Sequence, residues 1–208
     1  MFIVKFNKSV IITYLGVLFG IISIYFAFSK MAFADIPYLR YSLIFLVLAG
    51  ICDMFDGKVA RMCKRSEEEK EFGIQIDSLA DTVNFLCLPV IIMLSLGMYR
   101  LIHIIVYIIF ILCGISRLAH FNTIADTDAP VKSYNGLPVT STAIIYPILG
   151  LLRGITSNNT FTLIYIIATF ITAILFILKI KVPKFKGIAY IIIPILALIL
   201  VILLLVFR

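Results

Sequence analysis

An all-α bundle of membrane-spanning helices is the fold class this sequence predicts, and three observations predict it. Of the 208 residues 62% are hydrophobic and only 14% are charged, with a mean hydropathy of +1.14. A soluble domain of that size has too little interior to hide so much apolar surface. The apolar residues also come in runs close to the roughly 20 residues that carry a helix across a bilayer. Finally, the 18 lysines and arginines divide unevenly between the two ends of those runs.

Seven apolar segments can be marked, at residues 10–28, 36–60, 72–96, 99–121, 137–152, 161–178 and 188–207. The first leads into a pattern of further spans, so it reads as a span and not as a cleaved leader. The fifth is short and begins at Gly136-Leu137-Pro138, so it is expected to tilt or to start within a cavity. No polar stretch is long enough to build a soluble domain. Residues 1–208 are therefore expected to form a single transmembrane domain, without internal repeats. With the N-terminus in the cytoplasm, 13 of the 18 basic residues fall on the cytoplasmic side. That bias predicts an odd number of spans and a C-terminus outside. The net charge of +7 needs no nucleic acid, because basic loops facing anionic head groups account for it.

The four cysteines, Cys52, Cys63, Cys87 and Cys113, form no C-x-x-C pair and read as small core residues. With only His103 and His120, a histidine-rich zinc site is not expected. His103 is expected at the opposite membrane face. Asp126 and Asp128 read as solvated loop residues.

The charged stretch at 53–81 breaks the apolar pattern. Glu67-Glu68-Glu69-Lys70-Glu71 reads as a solvated turn between the second and third spans. The aspartates need another account. Asp53 and Asp56 are i, i+3 and share one helical face; Asp77 and Asp81 are i, i+4 and share a face of the next helix. A short connection makes these helices antiparallel neighbours, so all four carboxylates can point at one space. At mid-membrane each would cost about 2.5–3.5 kcal/mol, roughly 10 kcal/mol together. Acids so placed line a wet cavity or hold a cation. With oxygen ligands alone the ion is a hard one, magnesium, manganese or calcium. Two such ions would balance four carboxylates and are an arrangement suited to displacement at phosphorus. The structural alternative is that the aspartates pair with Lys58, Arg61 and Lys64. Gly57 and Gly73 remove side chains beside the carboxylates, Ala60 keeps the same face small, and Arg61 can fork onto a phosphate.

These residues carry a resemblance. The pattern D53-x-x-D56-G57-x-x-A60-R61 … G73-x-x-x-D77-x-x-x-D81 resembles the signature of the CDP-alcohol phosphotransferases, and the stretch between Arg61 and Gly73 is longer than that family commonly has. Residues 116–122, SRLAHFN, residues 135–143, NGLPVTSTA, and residues 182–187, VPKFKG, resemble segments of the phosphatidylserine synthases within it. His120 stands where arginine is common. The resemblance implies a six-helix core plus an additional C-terminal span at about 188–207, usually as a homodimer. It implies transfer of a phosphatidyl group, or its ether-lipid equivalent, from a CDP-lipid to the hydroxyl of L-serine, with release of CMP.

It also implies roles: Asp53, Asp56, Asp77 and Asp81 as ligands of divalent cations, Mg²⁺ or Mn²⁺, two of them, with Asp81 also the general base. Asp53, Gly57, Ala60, Arg61, Gly73 and Asp77 would frame the CDP-lipid, at the cytoplasmic face of the membrane. Read from the residues, Arg117 is the best partner for a serine carboxylate, although it also suits a cytoplasmic anchor. Asn84, just below Asp81, is a candidate for hydrogen bonding the acceptor, or for joining helices; Asn122 and Asn135 are weaker candidates. Two other readings stay open: a relative that uses glycerol phosphate or inositol phosphate, and a divalent cation transporter built on the same acids.

Overall fold

The computed structural model describes residues 7–33, 36–125, 133–183 and 188–206. Asp126, Asp128, Lys132 and residues 184–187 of the VPKFKG segment lie outside these. The chain folds as an all-α polytopic membrane bundle. Helix α1 spans Ile11–Phe33, α2 Ile36–Met62, α3 Glu67–Asp81, α4 Leu88–Ser95, α5 Leu101–Ala125, α6 Thr142–Leu151, α7 Asn158–Ile177 and α8 Ala189–Val206. Among the described residues four helical stretches are long and apolar enough to cross a membrane, Lys8–Phe33, Glu67–Ser95, Leu101–Thr123 and Asn158–Ile177, and two shorter apolar helices accompany them. Helix α2 has 27 residues, but its C-terminal part from Asp53 onward carries Asp53, Asp56, Lys58 and Arg61 and is correspondingly less apolar.

The charged stretch 67–71 is solvated as expected, but it is helix and not a turn. Glu67–Asp81 is helix from its first residue, and the connection to α2 is only residues 63–66. The reason is a capping box: the Glu69 amide donates to Ser66 Oγ (3.2 Å), and the Ser66 amide donates to Glu69 Oε2 (2.8 Å). Glu67, Glu68 and Glu69 fill the first turn, where the helix dipole favours negative charge. The short connection turns the chain back, so that Asp77 of α3 returns to Asp53 and Asp56 of α2.

Between α3 and α4 the helix widens into a π turn, Thr82–Cys87, directly after Asp81. Pro89 follows and has no amide proton to offer the Phe85 carbonyl. The Thr142 hydroxyl of α6 supplies that donor instead, 3.1 Å from Phe85 O. The widened turn thus docks onto the start of α6.

Small residues let the helices close. Gly16, Gly20, Ser23 and Ala27 form one buried stripe on α1, and Ser23 Oγ donates to the Ser42 carbonyl of α2 at 2.6 Å. Fully buried Leu46, Leu86, Ile92, Phe110, Tyr146 and Phe176 form the core. The outer faces are the reverse of a soluble protein: Ile21, Ile108, Ile171 and Ile195 are all about half exposed or more, as lipid contact requires.

One small sheet interrupts the helices. Strand β1, Ser133–Asn135, pairs antiparallel with β2, Lys181–Pro183. It leads into Gly136, whose φ of 81° favours glycine, and a Cβ there would strike the Phe176 carbonyl. The Leu137 amide then donates to the Leu175 carbonyl at the end of α7 (2.9 Å). This crossing holds Leu137 and Pro138 at the aspartate end of the bundle.

Candidate active site

The aspartates meet as the spacing required. Carboxylate oxygens of Asp53, Asp56 and Asp77 lie within 4.8 Å of one another. Thr13 of α1 donates to Asp56 Oδ2 at 3.1 Å. Asp81, one turn further along α3, faces Asp53, and Thr140 approaches Asp53 from the turn just ahead of α6. Asp56 and Asp81 are buried, and Asp53 and Asp77 are partly buried. Among the described residues no ion pair joins these carboxylates to Lys58, Arg61 or Lys64. The pairing alternative therefore does not explain them. Carboxylates turned toward each other in a low-dielectric bundle repel, and a cation held between them would relieve that repulsion. An all-oxygen donor set of this kind fits a hard divalent ion.

The aspartates form the floor of a cavity of about 530 Å³. Gly57, Ala60, Arg61 and Gly73 all line it. Arg61 folds back so that its Nη1 stands 3.8 Å from where a Gly57 Cβ would be, and Arg65 Nη1 stands 3.4 Å from where a Gly73 Cβ would be. The two glycines thus leave room for two guanidiniums at the rim. A diphosphate laid against the aspartates through divalent ions would meet those donors on its other side.

Arg117 of α5 also lines the cavity and is only 9% exposed. Its guanidinium sits over the Phe121 ring (5.3 Å) and acts electrostatically on Asp53. Asn84 is 3% exposed, sits on the π turn, and occupies the space a Cβ at Gly20 would need. It does not line the large cavity, and borders instead a small pocket that it shares with all four aspartates. The π turn is the physical reason, because it breaks the register that would carry Asn84 along the face of Asp81. Asn122 pairs with Ser78, 2.9 Å from its Nδ2 to Ser78 Oγ, and ties α5 to α3 beside Asp77. His103 sits at the far end of α5, its Nδ1 accepting from the Arg100 amide at 3.3 Å. The four cysteines are free.

Sequence reasoning missed several cavity residues. Arg65 is one of several basic residues around the α2–α3 connection, and nothing in its spacing singles it out. Thr140 and Ser141 lay inside a recognised segment without a task, and Tyr190 of α8 gave no signal. A polar residue inside an apolar run was the available signal for Thr13, but its partner is set by packing.

The family model for CDP-alcohol phosphatidyltransferase matches residues 6–208. The chain belongs to that family. Among curated proteins, this CDP-alcohol phosphatidyltransferase family member is 37% identical to the CDP-diacylglycerol–serine O-phosphatidyltransferase of Saccharomyces cerevisiae, over 47% of this chain and 37% of that protein. It is 36% identical to the archaetidylserine synthase of Methanothermobacter thermautotrophicus, over 51% of this chain and 44% of that one. The Helicobacter pylori CDP-diacylglycerol–serine O-phosphatidyltransferase is 30% identical over 84% of this chain and 71% of its own length. The matches to the first two cover about two fifths of those relatives' length.

Proposed function

We propose that the protein is a metal-dependent CDP-lipid–serine O-phosphatidyltransferase. The observation that carries this reading is the convergence of Asp53, Asp56 and Asp77 within 4.8 Å on the floor of a cavity lined by Arg61 and Arg117. The printed names of the relatives, which concern serine or its archaeal ether-lipid counterpart, support the acceptor.

Asp53, Asp56, Asp77 and Asp81 would hold two divalent ions, Mg²⁺ or Mn²⁺. Bound there, the ions supply Lewis-acid polarisation of the diphosphate and stabilise the leaving phosphate. Arg61 and Arg65 bind the diphosphate from the rim, and Gly57 and Gly73 keep their approach open. Arg117 holds the serine carboxylate by a bidentate contact, which aims the serine hydroxyl back toward Asp81. The hydroxyl oxygen forms a bond to the β-phosphorus as the bond to CMP breaks. Its proton passes to Asp81. The attack is direct, because a carboxylate already shared with a cation is a poor nucleophile. A homodimer, which the family resemblance implies, belongs to the same proposal, and cross-linking in the membrane tests it. The count of basic residues supports a cytoplasmic active site.

The test is CMP release from a CDP-lipid supplied with one alcohol at a time. Serine is expected to give the fastest release. Faster release with glycerol phosphate or inositol phosphate overturns the assignment, and metal flux into liposomes without any nucleotide chemistry would return the transporter reading.

A further inference from the structure

A second, smaller cavity of about 10 Å³ borders the same four aspartates. Its other walls are Thr13 and Gly16 of α1, Ala49 of α2, and Ala80, Asn84 and Phe85. Of these only Thr13 also touches the large cavity, so the carboxylates stand between two spaces. The smaller one has about the room that a single water needs. On this side the Thr13 hydroxyl already donates to Asp56 (3.1 Å). Asn84 is 3% exposed, and its Oδ1 has no hydrogen-bond partner among the described residues. Helix α1 fixes which way its amide points. Oδ1 lies against Gly20, where a Cβ would strike it, and Nδ2 stands 3.7 Å from where a Gly16 Cβ would be. Gly16 is a wall of the small cavity and Gly20 is not, so the nitrogen end of the amide faces that cavity. The reverse assignment would set the NH₂ group against the Gly20 methylene, which has no acceptor to offer. A carbonyl oxygen there meets a Cα–H.

We propose that Asn84 is a positioning residue of the metal site, and that through one water held in the small cavity it supports the carboxylates from the side away from the substrate. The proposal rests on the reading above, that those carboxylates hold divalent ions. Donor and acceptor chemistry chooses the occupant. Carboxylates accept and an amide NH₂ donates, so a water fits between them, accepting from Nδ2 and donating to two carboxylate oxygens. A cation would suit the carboxylate wall and be repelled by the amide protons. Held from this side, the aspartates keep their remaining oxygens turned to the large cavity, as metal ligands must be. An asparagine that only tied the π turn to α1 would bond its oxygen there, and among the described residues that oxygen meets no donor. The π turn delivers Asn84 to this side of the carboxylates, and Gly20 leaves it room.

The test is Mn²⁺ binding to the full-length protein in vesicles, with neither CDP-lipid nor serine, read from loss of the free ion's electron paramagnetic resonance signal. Asn84→Leu keeps the volume and removes both amide groups. Its Mn²⁺ affinity is expected to fall about 10–100-fold, the scale of losing a partner that orients a ligand. Its thermal unfolding without metal should stay level or rise, because a buried unbonded oxygen is gone. Asn84→Ser keeps a hydroxyl for the water and should recover most of the affinity. Gly20→Ala is a second route should Asn84→Leu fail to fold. Its new Cβ displaces the amide, so it should weaken Mn²⁺ binding in the wild-type background and not in Asn84→Ser. A map that resolves ordered solvent should show a water against Asn84 Nδ2 in the small cavity. Equal Mn²⁺ titrations for the wild type and Asn84→Leu overturn the role of Asn84 and leave the metal reading standing, as does a dry cavity. A loss of affinity that only follows a loss of stability also overturns it. Wild-type protein that binds no Mn²⁺ sinks the metal reading, and this proposal with it.

Discussion

Two of the buried polar sets among the described residues are built in opposite ways. Between α4, α6 and α7 the hydroxyls close on their own partners. Tyr165 donates to the Tyr146 carbonyl (2.8 Å), Tyr146 to Thr169 Oγ1 (3.1 Å) and Thr169 to the Tyr165 carbonyl (2.7 Å). Both tyrosines and Thr169 are fully buried, and each donor is spent inside the protein. At the other set, Asp53, Asp56, Asp77 and Asp81 face one another with hydroxyl help from Thr13 and Thr140, at the edge of a 530 Å³ cavity. The first set is complete without a ligand and serves to hold helices together. The second is left open toward the cavity, where the divalent ions proposed above would complete it. In a bundle of this kind, closure of the polar groups separates a strut from a site.

The sharpest way to break this comparison is to change a carboxylate. Asp56→Asn and Asp77→Asn each remove a ligand charge, and each should lower serine-dependent CMP release on the order of 10²–10³-fold, the scale of losing one preorganised electrostatic contact. Thermal unfolding in detergent should move little, since an asparagine at 56 can still accept from Thr13 and either change relieves repulsion among the carboxylates. A mild loss of activity with a large loss of stability would make the aspartates a strut after all. Asp81→Asn should come next. It should spare much of the CDP-lipid affinity, measured by equilibrium binding, while turnover falls. Retained configuration at a chiral β-phosphorus, or CMP exchange without serine, would instead reveal a covalent intermediate and reassign Asp81.

Arg117→Lys should act more gently. A lysine keeps the charge but loses the fork, so the serine KM should rise with kcat changed far less. An unchanged KM would return Arg117 to an anchoring role. Tyr165→Phe has the smallest expected effect on chemistry. It removes one buried hydrogen bond, worth about 1 kcal/mol, so the melting temperature should fall while CMP release per folded molecule stays constant. Lost activity without lost stability would erase the distinction between the two sets.

Much of the site was legible because helical periodicity alone decides it. The spacings 53, 56 and 77, 81 fix which faces the carboxylates occupy, and a short connection brings those faces together. The start of α3 was misplaced because five charged residues look like a loop, although Ser66 and Glu69 carry a capping signature that explains why they are helix. The position of Asn84 could not be read, since the π turn at Thr82–Cys87 leaves no periodic trace in an apolar run. Pro89 was the available hint. Arg65, Thr140 and Tyr190 come to the cavity through tertiary packing: over Gly73, through the Gly136 crossing, and on α8. No local pattern encodes those arrivals. Thr142, bonded to the Phe85 carbonyl, belongs with them, because its task exists only once Pro89 has removed a donor two helices away.

The most direct measurement is serine-dependent CMP release from CDP-lipid vesicles in excess chelator, followed by stepwise return of Mg²⁺ or Mn²⁺ to the wild-type protein and to Asp56→Asn. The carboxylate cluster as a cation site predicts no release in chelator, recovery with metal in the wild type, and recovery in Asp56→Asn only at much higher metal if at all. Full turnover in chelator, or identical metal titrations for the two proteins, would contradict it.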